Sequence, residues 1–158
     1  MTNLRMKVDK ALEWALVVLM TVSVLNVLWQ VFARYVLQNP SSFTDELARY
    51  LLIWVGLMGA CYAVGKKLHL AIELFTEKLS ARNRLFSDLF IYAVIFLFAL
   101  FVMVVGGIRL MQITLILNQV SAALQIKIGY VYSVIPLSGV VMMFYAVAFT
   151  VEDLSGAN

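Results

Sequence analysis

The sequence predicts an all-α integral membrane protein with four transmembrane helices and an amphipathic interfacial helix between the second and the third. Three observations lead there. The 158 residues are 63% hydrophobic and only 13% charged, whereas about a quarter of a soluble domain is charged. The charges gather in clusters separated by uncharged apolar runs. Four of those runs approach the ~20 residues a helix needs to cross a hydrocarbon core ~30 Å thick. Residues 1–158 read as a single membrane domain without repeats or low-complexity segments.

The first span covers residues 14–33, with Asn26 and Gln30 as its strongly polar members. Arg5, Lys7 and Lys10 precede it as in a signal peptide. The run is too long for a signal core and no Ala-x-Ala pattern follows, so a retained helix is expected. Arg34 and Tyr35 lead into a turn at Pro40, a residue that cannot continue a helix and that holds its predecessor extended.

The second span covers residues 43–65. Ser42 with Asp45 three residues on reads as a capping box. Asp45 and Glu46 fall in the first turn, where the helix dipole favours negative charge. Arg49 follows Asp45 by four residues and Glu46 by three, so the three charges can meet on one face. They are candidates for docking a partner or for an ion pair that fixes helix packing, against the alternative of interfacial charges that simply reach water. Gly56, Gly59, Ala60 and Ala63 place small residues on one side and permit close helix approach. Trp54 reads as a packing or interface residue. Lys66, Lys67 and His69 close the span as topology and interface determinants.

Over residues 69–86, Leu70, Leu74, Phe75, Leu79, Leu85 and Phe86 recur against Glu73, Glu77, Lys78, Arg82 and Arg84. That spacing predicts the interfacial helix. The third span covers 87–117, where Gly106 and Gly107 can bend it, and a turn near Asn118 follows. Arg109 interrupts its apolar stretch. Because an intramembrane charge finds a partner or reaches toward water, Arg109 is expected to bond the outward end of a neighbouring helix or a lipid phosphate. The fourth span covers 128–151, and Pro136 should kink it or sit where a neighbour satisfies the freed carbonyl.

Counting Lys and Arg sets an orientation. The N-terminal tail and the middle connector hold eight, and the opposite side holds four: Arg34, Arg49, Arg109 and Lys127. The positive-inside rule then puts both termini in the cytoplasm.

Several function classes fall away. One cysteine, Cys61, allows no internal disulfide. One histidine, His69, cannot supply two imidazole ligands, so no metal site or cofactor is expected. No Walker loop or HExxH is present, which argues against an enzyme. The net charge of +3 follows from basic residues at membrane borders and predicts no nucleic-acid partner. No span holds an acidic residue well inside it, as a cation-coupled carrier working alone would often need. The chain reads as one whose apolar surface is meant for another subunit and for lipid.

The residues that carry this reading also resemble a known family, the DctQ-type small membrane subunit of tripartite ATP-independent periplasmic (TRAP) transporters. The densest likeness runs through Arg34-Tyr35, Pro40, Thr44-Asp45-Glu46-Leu47-Ala48-Arg49, Trp54, Gly59-Ala60, Ala63 and His69. A second patch runs from Ser121-Ala122-Ala123-Leu124 through Ile126, Gly129-Tyr130, Tyr132, Ile135-Pro136 and Gly139. The chain departs from the family pattern at Phe43, Asp45 and Ala122.

The resemblance implies a multi-pass protein of the bacterial inner membrane with two protein partners: a large TRAP membrane subunit, forming a heterodimer, and a periplasmic substrate-binding protein. It implies an accessory scaffold that braces the large subunit during sodium-driven uptake of an organic acid, such as a C4-dicarboxylate, sialic acid or another sugar acid. It also implies help in docking the binding protein. The alternative from a different class is a small autonomous four-helix carrier, which would depend on a glutamate inside the first span, and residues 14–33 contain none.

Overall fold

A computed structural model describes residues 2–39, 41–66 and 81–155. Pro40, Lys67 and His69 lie outside the described residues, as does most of the expected interfacial helix. Its last residues, 81–86, form the first turns of the third long helix.

Among the described residues the chain forms α1 (Thr2–Tyr35), α2 (Ser42–Gly65), α3 (Ala81–Phe98), a π-helical stretch (Ala99–Gly106), α4 (Gly107–Ile116), α5 (Ile128–Tyr132) and α6 (Val134–Ser155). Four helical runs, Asn3–Tyr35, Ser42–Gly65, Asn83–Ile116 and Ile128–Ser155, are long and apolar enough to cross a membrane. α1 has 34 residues. At a rise of 1.5 Å per residue it is about 51 Å long, more than a hydrocarbon core of ~30 Å needs, so it must tilt or project.

Three local expectations change. Ser41 rather than Ser42 occupies the N-cap of α2, with extended backbone and no side-chain capping bond. Ser42 is already helical, so no capping box forms with Asp45. Thr44 Oγ1 instead donates to the Ser41 carbonyl at 2.9 Å. Gly106 and Gly107 have ordinary right-handed helical backbone. The irregularity of the third run is the eight-residue π-helical stretch that precedes α4, and a π-bulge widens a helix locally. Pro136 lies in the first turn of α6, after a break at Ser133. There its missing N–H would have had no intrahelical partner.

α6 is the centre of the bundle, packing on α2, α3 and the π-helical stretch, while α1 packs on α2. Tyr145, Phe149, Val134, Cys61 and Ser138 are fully buried. The Cys61 thiol donates to the Ser138 carbonyl at 3.3 Å and ties α2 to α6. Close approach depends on glycine where backbones meet. A Cβ on Gly139 would lie 2.8 Å from Met103 Cβ and 3.0 Å from the Ala99 carbonyl oxygen. Burial is uneven: 44% of the fourth span's most apolar window is buried, against 6% of the first. The outer face of α1 is therefore almost wholly uncovered, including Trp14, Leu25, Leu28 and Trp29.

The small-residue side of α2 is not used inside the chain at its glycines, since a Cβ on Gly56 or Gly59 would meet nothing within 4 Å. Gly56→Ala and Gly59→Ala should leave the thermal stability of the isolated chain unchanged or raise it by up to about 1 kcal/mol, the helix-propensity difference. A marked fall in the melting midpoint in detergent would show that these positions are packed.

Candidate functional site

The bundle has two polar ends. The end that carries the start of α1 and the close of α2 and α6 is knitted by long-range pairs. Arg5 Nη1 meets Glu152 Oε2 at 3.0 Å, and Nη2 donates to the Gly65 carbonyl at 3.2 Å. The same guanidinium lies 4.5 Å from the centre of the Phe149 ring. Lys66 Nζ reaches Glu13 at 3.3 Å and Asp9 at 3.8 Å, and Tyr62 donates to Glu13 at 2.9 Å. Tyr145 donates to Asp9, and Tyr92 donates to Asp153 at 2.9 Å. The bond to Glu13 holds the Lys66 ammonium pKa above its ordinary value, so Lys66 stays charged at neutral pH. Lys66 and Arg5 thus bind helices together at this end. Sequence reasoning missed this contact, and the signal that could have found it is the pair of acidic residues Asp9 and Glu13, one helical turn apart.

The opposite end holds the close of α1, the start of α2 and the strap 117–127 between α4 and α5. Glu46 organises it. Its carboxylate accepts the backbone N–H groups of Ala122 at 3.2 Å, Ala123 at 2.8 Å and Leu124 at 2.8 Å, and the Tyr50 hydroxyl at 2.9 Å. Consecutive amides that converge on one anion form a backbone nest, and bonds to an ionised acceptor are about twice as strong as neutral ones. The strap is shaped for this grip. Asn118 and Gln125 take positive φ (47° and 54°), and Ser121 N–H donates to the Ile126 carbonyl at 2.9 Å, Ile128 N–H to Gln119 at 3.0 Å.

A second tie lies deeper, where Trp54 Nε1 donates to the Val131 carbonyl at 3.0 Å and joins α2 to α5. On the α1 side the two strongly polar residues of the first span, Asn26 and Gln30, reach the start of α2. Buried Asn26 donates to the Thr44 carbonyl at 2.9 Å, and Gln30 donates to Asp45. Arg34 comes within 3.9 Å of Asp45.

The three charges that open α2 therefore part company. Asp45 turns to α1 and Glu46 to the strap. Arg49 has no ion pair within 4.0 Å among the described residues and is exposed. Spacing alone could put the three on one face, but donors from other segments claim the carboxylates. Tyr35 is 74% exposed. Arg109 is exposed on α4 and has no ion pair among the described residues. Sequence reasoning missed the strap amides as partners of Glu46, because a backbone N–H carries no residue-type signal.

Fold and end chemistry define a four-span, all-α membrane protein whose polar groups serve to join helices. Residues 9–156 match the family described as tripartite ATP-independent periplasmic transporters, DctQ component. The chain belongs to that family: it is a multi-pass inner-membrane component of a transporter, and the family is not one of enzymes. It is 27% identical over 115 residues to the sialic acid TRAP transporter permease protein SiaT of Haemophilus influenzae, covering 73% of this chain and 18% of that one. It is 34% identical over 80 residues to the sialic acid TRAP transporter small permease protein SiaQ of Vibrio cholerae, covering 50% of this chain and 46% of that one. The chain thus spans less than half the length of either relative.

Proposed function

We propose that the chain is the small accessory subunit of a TRAP-type secondary transporter. It braces a large membrane subunit during sodium-driven uptake of an organic acid, with both of its own termini in the cytoplasm. The strap end then faces the periplasm, where it helps to dock the soluble substrate-binding protein. Sialic acid is the first solute to try, since both relatives carry it in their names.

The observation that supports this most is the uneven covering of the bundle. The first span is almost bare along its apolar window, with 6% of it buried, while 44% of the fourth span's window is buried, which leaves the apolar surface of the first helix without cover inside the chain. In lipid such a face associates by close packing rather than by hydrophobic exclusion. Arg109, without a partner among the described residues, is proposed to meet an acceptor on the large subunit or a lipid phosphate.

Co-expression with a large TRAP permease subunit should give a stoichiometric 1:1 complex in mild detergent, and the complex with its binding protein should import solute into sodium-energised liposomes. The isolated chain should import nothing. Transport by the chain alone would instead establish the autonomous carrier.

A further inference from the structure

Six charged residues lie in the segments 34–49 and 109–127: Arg34, Asp45, Glu46, Arg49, Arg109 and Lys127. Both carboxylates are engaged within the chain. Asp45 holds Gln30 and faces Arg34 at 3.9 Å, and Glu46 is saturated by three strap amides and Tyr50. Three of the four cations, Arg49, Arg109 and Lys127, have no ion pair among the described residues. Arg49 lines a cavity, about 200 Å³ in volume, bounded also by Ser42, Asp45, Glu46, Ala122 and Ala123.

We propose that this cavity receives an aspartate or glutamate side chain of the soluble solute-binding protein, with Arg49 as the residue that recognises it. The proposal rests on reading the chain as the small subunit of a receptor-fed transporter. Size favours a side chain, because the cavity falls below the ~300–1,000 Å³ of ordinary small-molecule sites. Chemistry favours a carboxylate. A guanidinium presents a planar fork that matches one bidentately, and the local anions are already compensated by α1 and the strap. Ala122 and Ala123 keep the far wall low, and Glu46 fixes that wall in place. Charge pairs at a rim chiefly set encounter rate and register, as a receptor that must dock and leave requires.

The test uses the intact complex with its large permease in phosphatidylcholine nanodiscs, and the purified, solute-loaded binding protein as probe. Arg49→Glu should weaken binding about tenfold or more by charge reversal, and Arg49→Lys by only a few-fold. Arg49→Gln should fall between, and because Arg49 holds no ion pair among the described residues, each variant should assemble normally. A Lys introduced for the matching receptor carboxylate should lose affinity for wild type and regain it on Arg49→Glu.

Wild-type affinity in both Arg49→Glu and Arg49→Gln would overturn the proposal. So would a loss seen only when phosphatidylglycerol is included, which would assign Arg49 to lipid phosphate. If the wild-type chain assembles with the permease and only these binding results fail, the accessory-subunit reading stands. If no complex forms at all, that reading falls and this inference with it.

Discussion

Replacing Glu46 with Ala is expected to free the strap from α2. The carboxylate is the common acceptor of the Ala122, Ala123 and Leu124 amides, and no other described group is placed to receive all three. Hydrogen exchange at these amides should accelerate by about tenfold or more, the behaviour of a segment that opens locally without global unfolding. The core around Tyr145 and Phe149, at the far end of α6, should keep its protection. Glu46→Gln retains one acceptor oxygen but loses the charge, so it should fall between wild type and Ala. Proteolysis within 117–127 should rise in the same order. Unchanged exchange in Glu46→Ala would show that the strap is held by its own turns.

The second large effect is expected at Gly139. A Cβ there would sit 2.8 Å from Met103 Cβ, 2.8 Å from Val104 Cγ2 and 3.0 Å from the Ala99 carbonyl. Met103 Cβ and the Ala99 carbonyl belong to or adjoin backbone and cannot rotate away, so α6 must move off the π-helical stretch. Overpacking of this kind costs about 1–3 kcal/mol, and Gly139→Ala should lower the melting midpoint and folded yield in detergent. Gly139→Val should be worse. At Gly65 the intruding atoms are the ring of Tyr145, which is held by Asp9, so Gly65→Ala should disturb the terminal end as well. A wild-type midpoint for Gly139→Ala would mean that the two helices are farther apart than described.

How far the sequence reaches is clearest at α2. Its apolar run and the acidic residues at its start identify a membrane helix and an unusual charge cluster without any coordinates. Arg49, four residues from Asp45 and three from Glu46, also looks like their natural partner. The fold chooses otherwise, because Gln30 and Arg34 approach from α1 and the strap amides approach from beyond α4. Those residues are 11–15 positions away in one case and 76–78 in the other, beyond any helical spacing rule. Gly56 and Gly59 are not the glycines that pack helices within this chain. Their spacing marks a close-packing face, while the glycines that let backbones meet are Gly107, Gly129 and Gly139, which stand singly or beside a bend.

By itself, then, the sequence determined that this chain lives in a bilayer as helices: with no water to satisfy backbone N–H and C=O groups, long uncharged runs have no other stable form. Family-specific residues and the scarcity of charge inside those runs were also legible there. Only the tertiary structure decided which charge is spent on packing and which is left over. That choice depends on which donors and acceptors chain reversal brings within bonding distance, and hydrophobic period carries no record of it.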